Sequence, residues 1–229
     1  MKVALRGGGA DAVRAVEDAG GAVVDPADAD VLLALDEPAL LSLASDPVDC
    51  PVLVVTPGGS LHAVPRARLD AALDSLFSGD YRTFTHPILG VSIDGEAVTR
   101  AVTDVTLLTA EPARISEYAV RTHGETVDQF RADGVVVATP LGSTGYTENA
   151  GGSAVTAGVG LPVVPLSPFS THARTWVLDP PLTLTIERDE SDVVLVADDR
   201  EVQGVRAGVP VELVQVDAFE LVRVPEVGD

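Results

Sequence analysis

The hydrophobic pattern of the chain changes once, near Tyr81, and this change limits the possible folds more than any other feature. Before it, short apolar runs alternate with helical segments, such as residues 10–20, where Val13 and Val16 fall on the inner face. A second helical segment, 65–79, ends at Gly79, a common C-terminal stop signal. Alternating strands and helices predict an open α/β sheet for the first third of the chain.

After Tyr81 the pattern is different. Short β-branched runs such as LTLTIER and VPVELVQV follow one another, separated by Gly, Asp and Pro turns, with hardly a helical stretch between them. This pattern predicts an all-β domain, either a sandwich or an open barrel. The boundary between the two domains is expected at 78–84.

The charge of the chain excludes one class of partner. Acidic residues outnumber basic ones 35 to 15, the net charge is -20, and Lys2 is the single lysine. The acids are spread along the chain, a pattern that resembles proteins of salt-loving archaea, in which molar salt screens the repulsion. Nucleic-acid binding needs clustered cations, so no nucleic-acid partner is expected.

Membrane and disulfide chemistry are also disfavoured. No stretch approaches the ~20 apolar residues of a membrane span, and the N-terminus has no long apolar core of a signal peptide, so a cytoplasmic protein without membrane contact is expected. Cys50 is the single cysteine, which we interpret as a buried core residue. No metal-ligand spacing is present, and we predict no protein-bound metal site.

Residues 138–152, ATPLGSTGYTENAGG, follow an apolar strand and are rich in glycine and hydroxyl groups. One interpretation is a β-turn with a glycine-rich connection, because turns favour these residue types. The other is a ligand cradle, in which glycines admit a bound group while hydroxyls, Tyr146 and Asn149 contact it. The second interpretation would suit a nucleoside.

Four segments carry a resemblance to a known family. DGVVVATPLGSTGYTENAGG, residues 133–152, resembles the hallmark segment of NAD kinases, and 78–91, 101–108 and 166–180 are similar to neighbouring family motifs. The resemblance implies a Rossmann-like α/β domain followed by an all-β sandwich. In this family the end of the chain often returns to the α/β domain. We therefore expect an α/β domain over 1–80, completed by 216–229, and an NAD-binding β domain over 81–215.

The resemblance also implies roles for single residues. The segment around Tyr146 would contact the nicotinamide and ribose of NAD, and Asp104 would bind the adenosine. Asp133 would lie at the nicotinamide-side site, often that of a neighbouring subunit. The NAD-binding residues expected in this way are Thr103, Asp104, Asp133, Thr139, Gly142, Ser143, Thr144, Gly145, Tyr146 and Asn149.

The catalytic segment of the family, G-G-D-G, is altered here. Its equivalent, VLLALDEPALLSLA at 31–44, has lost the glycines, and two alignments place either Glu37 or Asp36 at the catalytic aspartate. Leu35 is expected to put a branched side chain where a phosphate would approach, and Pro38 lacks an N–H donor. A carboxylate at this strand end is therefore predicted to be the general base.

Other glycines could replace the lost phosphate cradle. Residues 6–11, RGGGAD, place three glycine amides between a strand and a helix, where an anion can bind; a flexible turn is the alternative. The pair at 58–59 matches another glycine-containing family segment, for which a simple turn is again the alternative. The weak phosphate-binding candidates are Arg6, Gly7, Gly8, Gly9, Gly58, Gly59 and Arg174.

Two functions follow from the resemblance. The first is an NAD kinase that moves a phosphate from ATP or polyphosphate to the 2'-hydroxyl of NAD, with Mg²⁺ bound to the donor. The second is a homologue that binds the dinucleotide as a sensor or partner subunit without transferring phosphate. In either case the family resemblance implies a homodimer or homotetramer. The sequence leaves open the donor and the choice between NAD and NADH.

Overall fold

The computed structural model describes residues 1–111, 114–170, 174–189 and 191–225. Residues 171–173 of the family segment 166–180, and 226–229 of the expected C-terminal completion, lie outside them. The chain divides into two compact units. The α/β unit comprises Met1–His86 and the described residues from Ala218 onward, and the β unit comprises Pro87–Asp217.

Parallel strands form the centre of the α/β unit. Its elements are β1 (Lys2–Arg6), α1 (Ala10–Asp18), β2 (Ala22–Val23), β3 (Val31–Ala34), α2 (Glu37–Leu41), β4 (Val52–Thr56), β5 (Val64–Pro65) and α3 (Leu69–Ser78). The strand order is β4-β3-β1-β2, all parallel. Strands β3 and β4 are almost wholly buried, which explains their unbroken apolar sequences.

One core fills the face of this sheet against α1 and α3. Val16 of α1 and Leu73 of α3 pack there with Val3 and Leu33 from the strands. Helix α3 ends at Gly79, which adopts a left-handed conformation, as the stop signal predicts. Strand β2 lies on one side of β1, and the chain then crosses to β3 on the other side of β1. The carboxyl ends of β1 and β3 therefore meet at a topological switch point, the usual ligand position in open α/β sheets.

The β unit contains most of the remaining strands. The first and the last of these strands contain the boundaries between the units, so each has residues in both units. These strands and one helix are β6 (Arg82–Ile93), β7 (Glu96–Ala101), β8 (Asp104–Thr109), β9 (Ser116–Thr122), β10 (Glu125–Ala132), β11 (Gly134–Ala138), α4 (Tyr146–Asn149), β12 (Leu161–Leu166), β13 (Trp176–Leu178), β14 (Leu182–Arg188), β15 (Val193–Ala197), β16 (Arg200–Val205) and β17 (Pro210–Arg223).

Two antiparallel sheets face each other in the β unit. One has the order β13-β12-β11-β8-β15-β16, and the other includes β10-β9-β14-β17 with β6 and β7. Alternate residues of both sheets, such as Leu107 and Leu184, are buried in one shared core. Tyr118 is fully buried in this core, and its hydroxyl lies 3.0 Å from that of Thr109.

The predicted fold class is confirmed: an α/β part precedes a β-sandwich, and the open-barrel alternative is not adopted. One local difference concerns 138–152, which contains a 3-10 turn over Gly142–Thr144 and then α4, rather than a plain β-turn. Within the described ranges, no helix combines the length and apolar character that crossing a membrane requires.

Candidate functional site

The register of the six-stranded sheet gathers most of the predicted NAD-binding residues at one edge. Asp104, at the start of β8, pairs with Ala138 at the end of β11, and Ala197 at the end of β15 pairs with Val105. Thr139 and the residues up to Asn149 continue directly from β11. One end of three adjacent strands therefore carries Thr103, Asp104 and the whole loop 139–149, which we call the motif loop.

Thr139 anchors the motif loop to the neighbouring segment. Its side chain is fully buried, and its hydroxyl donates to the carbonyl of Val102 at 2.7 Å. The N–H of Thr139 donates to the carbonyl of Thr103 at 2.8 Å. At Gly142 the backbone comes so close that an added Cβ would overlap the Thr103 carbonyl. Thus the glycine at 142 is required by a close backbone approach.

Two further hydroxyl residues of the loop, Ser143 and Thr144, form hydrogen bonds within the protein. Ser143 is fully buried. Its hydroxyl donates to the carbonyl of Pro140 at 2.7 Å and accepts from the N–H of Val155 at 3.1 Å. Thr144 is half-buried and donates to the carbonyl of Leu141 at 3.3 Å. These hydroxyls hold the loop in shape, since their hydrogen-bonding capacity is already used inside the protein.

The surface of the motif loop is formed by its second half. Gly145 and Asn149 are exposed, and 54% of the Tyr146 surface is accessible. A large aromatic ring left in solvent beside an amide side chain offers a stacking face and hydrogen bonds to a ligand. The part of the motif loop exposed to solvent therefore consists of Gly145, Tyr146, Glu148 and Asn149.

Asp198 holds the segment that the motif loop packs against. Its carboxylate accepts from the N–H groups of Val102 (3.1 Å), Thr103 (2.7 Å) and Asp104 (3.3 Å), and from the Thr103 hydroxyl (2.8 Å). Charged acceptors bound by several backbone donors make strong hydrogen bonds. In the sequence, this residue is signalled only by an Asp-Asp turn between two strands.

Asp133 and Arg174 lie elsewhere in the β unit. Asp133 precedes β11, whereas Thr139 follows it, so at about 3.3 Å per residue the two are roughly 20 Å apart. Arg174 is exposed and lines a depression of about 350 Å³ together with Phe169 and Trp176. Within one chain, the structure does not bring Asp133 or Arg174 to the motif loop.

In the α/β unit, a glycine turn and a carboxylate meet at the switch point. Gly7 and Gly8 follow β1, and Asp36 follows the neighbouring β3. Asp36 caps α2: one carboxylate oxygen accepts from the N–H of Ala39 at 2.8 Å, the other from the N–H of Gly8 at 3.3 Å. A Cβ on Gly7 would overlap the Asp36 carboxylate. Glycines at the end of β1 therefore lie beside the carboxylate at the end of β3.

The residues next to Asp36 face opposite ways. Leu35 is 5% exposed and packs in the α/β core, where its side chain also lies against Gly8 of the glycine turn. Leucine at this position follows the alternation of β3 and turns inward. Glu37 is exposed, and its side chain has no hydrogen bond to any described residue. It is therefore free to approach a ligand.

Charged neighbours of the glycine turn are paired. Arg6 donates to the carboxylate of Asp46 at 2.8 Å and to the Ser42 hydroxyl at 3.0 Å, so its guanidinium is engaged away from a ligand. Arg66 donates to Asp11 in the first turn of α1 at 2.6 Å, and this hydrogen bond lowers the pKa of the Asp11 carboxyl below its ordinary value. The Arg66 charge offsets that of Asp11 beside the turn.

Gly58 and Gly59 follow β4, the next strand along the same edge of the sheet. No atom lies within 4 Å of a Cβ built on Gly58, so this residue faces open space. The carboxyl edge of the α/β sheet therefore carries three consecutive features: the glycine turn, the Asp36–Glu37 pair and the 58–59 turn.

Among the described residues, no group of three or more His, Cys, Asp or Glu side chains is placed to hold a metal ion. The Mg²⁺ expected from the resemblance would be bound to the phosphates of the donor, which needs only one or two protein carboxylates.

Comparison with known proteins bears on this arrangement. The family model of the ATP-NAD kinase C-terminal domain matches residues 102–219, slightly more than half of the chain and the whole of the motif-loop edge. The chain belongs to the NAD kinase family. The family resemblance is thereby confirmed for the segments 133–152 and 166–180, whereas 78–91 lies outside the matched residues.

Curated relatives in the NAD kinase family match at moderate identity. The NAD kinase of Methanopyrus kandleri is 34% identical over 147 residues, which cover 63% of this chain and 53% of the relative. That of Methanosarcina mazei is 34% identical over 119 residues, covering 51% and 41%. The match thus spans about half the length of these relatives.

Solved structures of the NAD kinase family share the fold. An NAD kinase from Archaeoglobus fulgidus in complex with ATP superposes with a TM-score of 0.69 at 20% identity, covering 99% of this chain and 94% of that one. Yeast NADH kinase complexed with NADH gives 0.74 at 19% identity, with 99% and 84% covered. At such identities the likeness establishes the fold.

Proposed function

We propose that the protein is an NAD kinase, transferring the terminal phosphate of ATP or polyphosphate to the 2'-hydroxyl of NAD. The observation that carries this proposal is the motif loop, whose exposed residues lie at one sheet edge with Asp104 inside the family-matched segment. The relatives named NAD kinase and the structures solved with ATP and with NADH support nucleotide substrates.

In the β unit, binding would be divided among a few side chains. The exposed ring of Tyr146 would stack on the dinucleotide, and Asn149 and Asp104 would hydrogen-bond its ribose and base edges. Thr139, Gly142, Ser143 and Asp198 would act indirectly, because their hydrogen bonds and close contacts keep the loop rigid.

In the α/β unit, Glu37 or Asp36 would take the proton from the 2'-hydroxyl as its oxygen attacks the terminal phosphorus. The bond from that phosphorus to the bridging oxygen breaks, and the shortened donor leaves with the bonding electrons. Glu37 is the freer of the two carboxylates. The amides of Gly7 and Gly9 would receive donor phosphates, because the Gly8 amide already donates to Asp36. Mg²⁺ would supply charge neutralisation on those phosphates.

One observation favours the second function, dinucleotide binding without transfer. Both carboxylate oxygens of Asp36 accept backbone hydrogen bonds, as expected of a helix cap rather than a free base. If Asp36 only caps α2 and Glu37 is only a surface residue, the α/β unit keeps its fold but has no general base for phosphate transfer.

The deciding experiment measures NADP formation by the protein in molar KCl with NAD, Mg²⁺ and either ATP or polyphosphate. Glu37→Gln and Asp36→Asn are assayed beside Glu17→Gln, which removes an exposed acid of α1. We expect turnover that Glu37→Gln reduces by roughly 10²-fold or more and that Glu17→Gln leaves unchanged. Absence of turnover in folded protein with either donor would instead leave the binding function.

A binding experiment tests the β unit separately. Tyr146→Ala removes the exposed ring, and we expect NAD affinity to fall by about 1–3 kcal/mol, the range for aromatic stacking on a base. Val159→Ala, which truncates another exposed apolar side chain of the β unit, serves as the control. Equal affinities of the two variants in isothermal titration calorimetry would place the ligand elsewhere.

The position of Asp133 supports a further proposal, that the protein acts as a homodimer or homotetramer. Asp133 lies at the other end of β11 from the motif loop, so it could reach a dinucleotide only on another copy of the chain. Light scattering in molar KCl would show a dimer or tetramer, and a monomer would contradict this proposal.

A further inference from the structure

One buried hydroxyl of the motif loop differs from the other serine and threonine hydroxyls there. Thr147, the second residue of α4, is fully buried, and its Oγ1 has no hydrogen-bond partner in the part of the chain that the structure describes. The hydroxyls of Thr139, Ser143 and Thr144 each donate to a backbone carbonyl. Most buried polar groups of proteins have such a partner, so the environment of the Thr147 hydroxyl is unusual.

The surroundings of Thr147 are close-packed and apolar on one side. A Cβ built on Gly152 would lie 2.8 Å from the methyl carbon of Thr147 and 2.8 Å from a methyl carbon of Val164. Val164 belongs to a small apolar cluster with Val136 and Leu166. A hydroxyl buried without a partner costs free energy, because it has lost its hydrogen bonds to water. Pairing this hydroxyl would remove that cost.

The helix that carries Thr147 is short. Helix α4 is a single turn of four residues, and its N-cap residue, Gly145, has no side chain to cap that turn. It is followed by Gly151, whose φ of 92° is readily adopted by glycine. Isolated helices shorter than ~12 residues have little stability of their own. A ligand can therefore change the conformation of α4 while the buried hydrogen bonds of Thr139 keep the start of the loop in place.

The residues on both sides of Thr147 face solvent. Tyr146 and Glu148 are exposed and belong to the part of the motif loop at which we place the dinucleotide. Successive residues of an α-helix point about 100° apart, so turning or unwinding this single turn would bring the Thr147 hydroxyl to the same surface. A threonine hydroxyl both donates and accepts, and it therefore suits a ligand group that does both.

We propose that Thr147 is a binding residue for the dinucleotide, and that its hydroxyl gains a hydrogen-bond partner only when α4 changes conformation around the ligand. The partner is a neutral group that donates and accepts, as a ribose hydroxyl and the nicotinamide carboxamide do. This inference rests on the dinucleotide binding proposed above. It adds that the new hydrogen bond of Thr147 stabilises the bound conformation of the loop relative to the free one.

The stability and NAD affinity of Thr147 variants of the full-length protein in molar KCl test this inference. Thr147→Val replaces the hydroxyl by a methyl group, and we expect its melting temperature to equal that of the wild type or exceed it by about 2–4 °C. Its NAD affinity, measured by calorimetry, should fall about five- to tenfold, the equivalent of one hydrogen bond. Thr147→Ser keeps the hydroxyl and should bind NAD like the wild type.

Thr109→Val is the matched control. Thr109 is buried in the β unit, and its hydroxyl lies 3.0 Å from that of Tyr118, so this variant should melt at a lower temperature and bind NAD normally. Thr147→Val is thus expected to lose affinity without losing stability, and Thr109→Val the reverse. Unchanged NAD affinity in Thr147→Val would overturn the inference. A loss of stability equal to that of Thr109→Val would also overturn it, since the hydroxyl would then be paired in the free protein.

A second ligand identifies the partner of the hydroxyl. ADP-ribose contains both riboses of NAD but no carboxamide. An equal loss of ADP-ribose affinity in Thr147→Val assigns the partner to a ribose hydroxyl, and a loss confined to NAD assigns it to the carboxamide. Absence of NAD binding by the wild type would overturn the proposed function and this inference together, whereas NAD binding that Thr147→Val leaves unchanged would overturn this inference alone.

Discussion

The two units carry their functional residues in different ways. In the β unit, one continuous segment supplies the motif loop, and its buried members Thr139 and Ser143 hydrogen-bond to neighbouring backbone. In the α/β unit, the carboxylate comes from the end of β3 while the glycines come from the end of β1. A motif read along the chain is therefore intact in one unit and divided between strands in the other.

This difference shows how residues from two separate segments can form one local arrangement. Adjacent parallel strands end at the same edge of a sheet, so a glycine turn after one strand can lie beside a carboxylate that follows the next. The contact between Gly8 and Asp36 is an example. The loop of the β unit differs, because its close packing on Thr103 depends on one glycine.

The sharpest test of this contrast is Gly142→Ala. The new methyl group would overlap the carbonyl of Thr103, and we expect a loss of about 3 kcal/mol in unfolding free energy together with loss of NAD binding. Gly204→Ala, where the nearest atom is 3.9 Å from the added Cβ, should cost clearly less. Urea denaturation in molar KCl measures the unfolding free energies of both variants. Similar losses would show that the motif loop can shift to accommodate the added methyl group.

The next effect in size concerns the Asp198 carboxylate. Asp198→Asn replaces one acceptor by an NH₂ group that faces backbone donors, so we expect about 2 kcal/mol of destabilisation and weaker NAD binding. Asp199→Asn removes the neighbouring exposed charge and should stay near the wild type. Thermal melts followed by circular dichroism compare them; matching melts would mean that the segment 102–104 is held by other bonds.

A smaller effect is expected from Gly8→Ala in the α/β unit. The positive φ of 74° and the contact with Leu35 should cost about 1–2 kcal/mol and reduce phosphate transfer, while NAD affinity stays constant. Gly20→Ala has a similar φ of 84° with no neighbour within 4 Å, and it should lose stability without losing transfer. A fall in NAD affinity in Gly8→Ala would remove the contrast between the two units.

The smallest effect tests the core of the β unit through pH. Burial raises the pKa of the Tyr118 phenol above its ordinary value of 10.0, so its contribution to stability is complete below about pH 10 and falls as pH rises toward the folded pKa. Tyr118→Phe should cost about 1 kcal/mol at neutral pH, through the lost bond to Thr109, and flatten this alkaline decline. Tyr81→Phe is the control; an identical alkaline slope in Tyr118→Phe would refute the assignment.

Much of the fold was predictable because burial leaves a local pattern. The apolar runs of β3 and β4 and the stop at Gly79 predicted their elements directly. The short helix α4 was not predicted, because four residues are too few to show a helical period. The packing of Leu35 in the α/β core was not predicted either, since its place was inferred from alignment with glycines rather than from the apolar run of its strand.

Within the site, residue types were predictable and their orientations were not. The motif identified Ser143, Tyr146 and Asp104, yet only the tertiary structure shows that Ser143 is buried and that Tyr146 is exposed. Asp198 was missed because the groups it binds lie 94–96 residues away along the chain. A hydrogen bond over such a separation leaves no periodic signal in the sequence.

By itself, then, the sequence determined the two kinds of domain and the family, because periodicity and a contiguous motif are properties of neighbouring residues. The tertiary structure decided which polar groups form the hydrogen bonds that hold the motif loop and which remain exposed for a ligand. It also placed the glycines of β1 beside Asp36. These arrangements depend on the register and order of strands, which join residues that are distant in the chain.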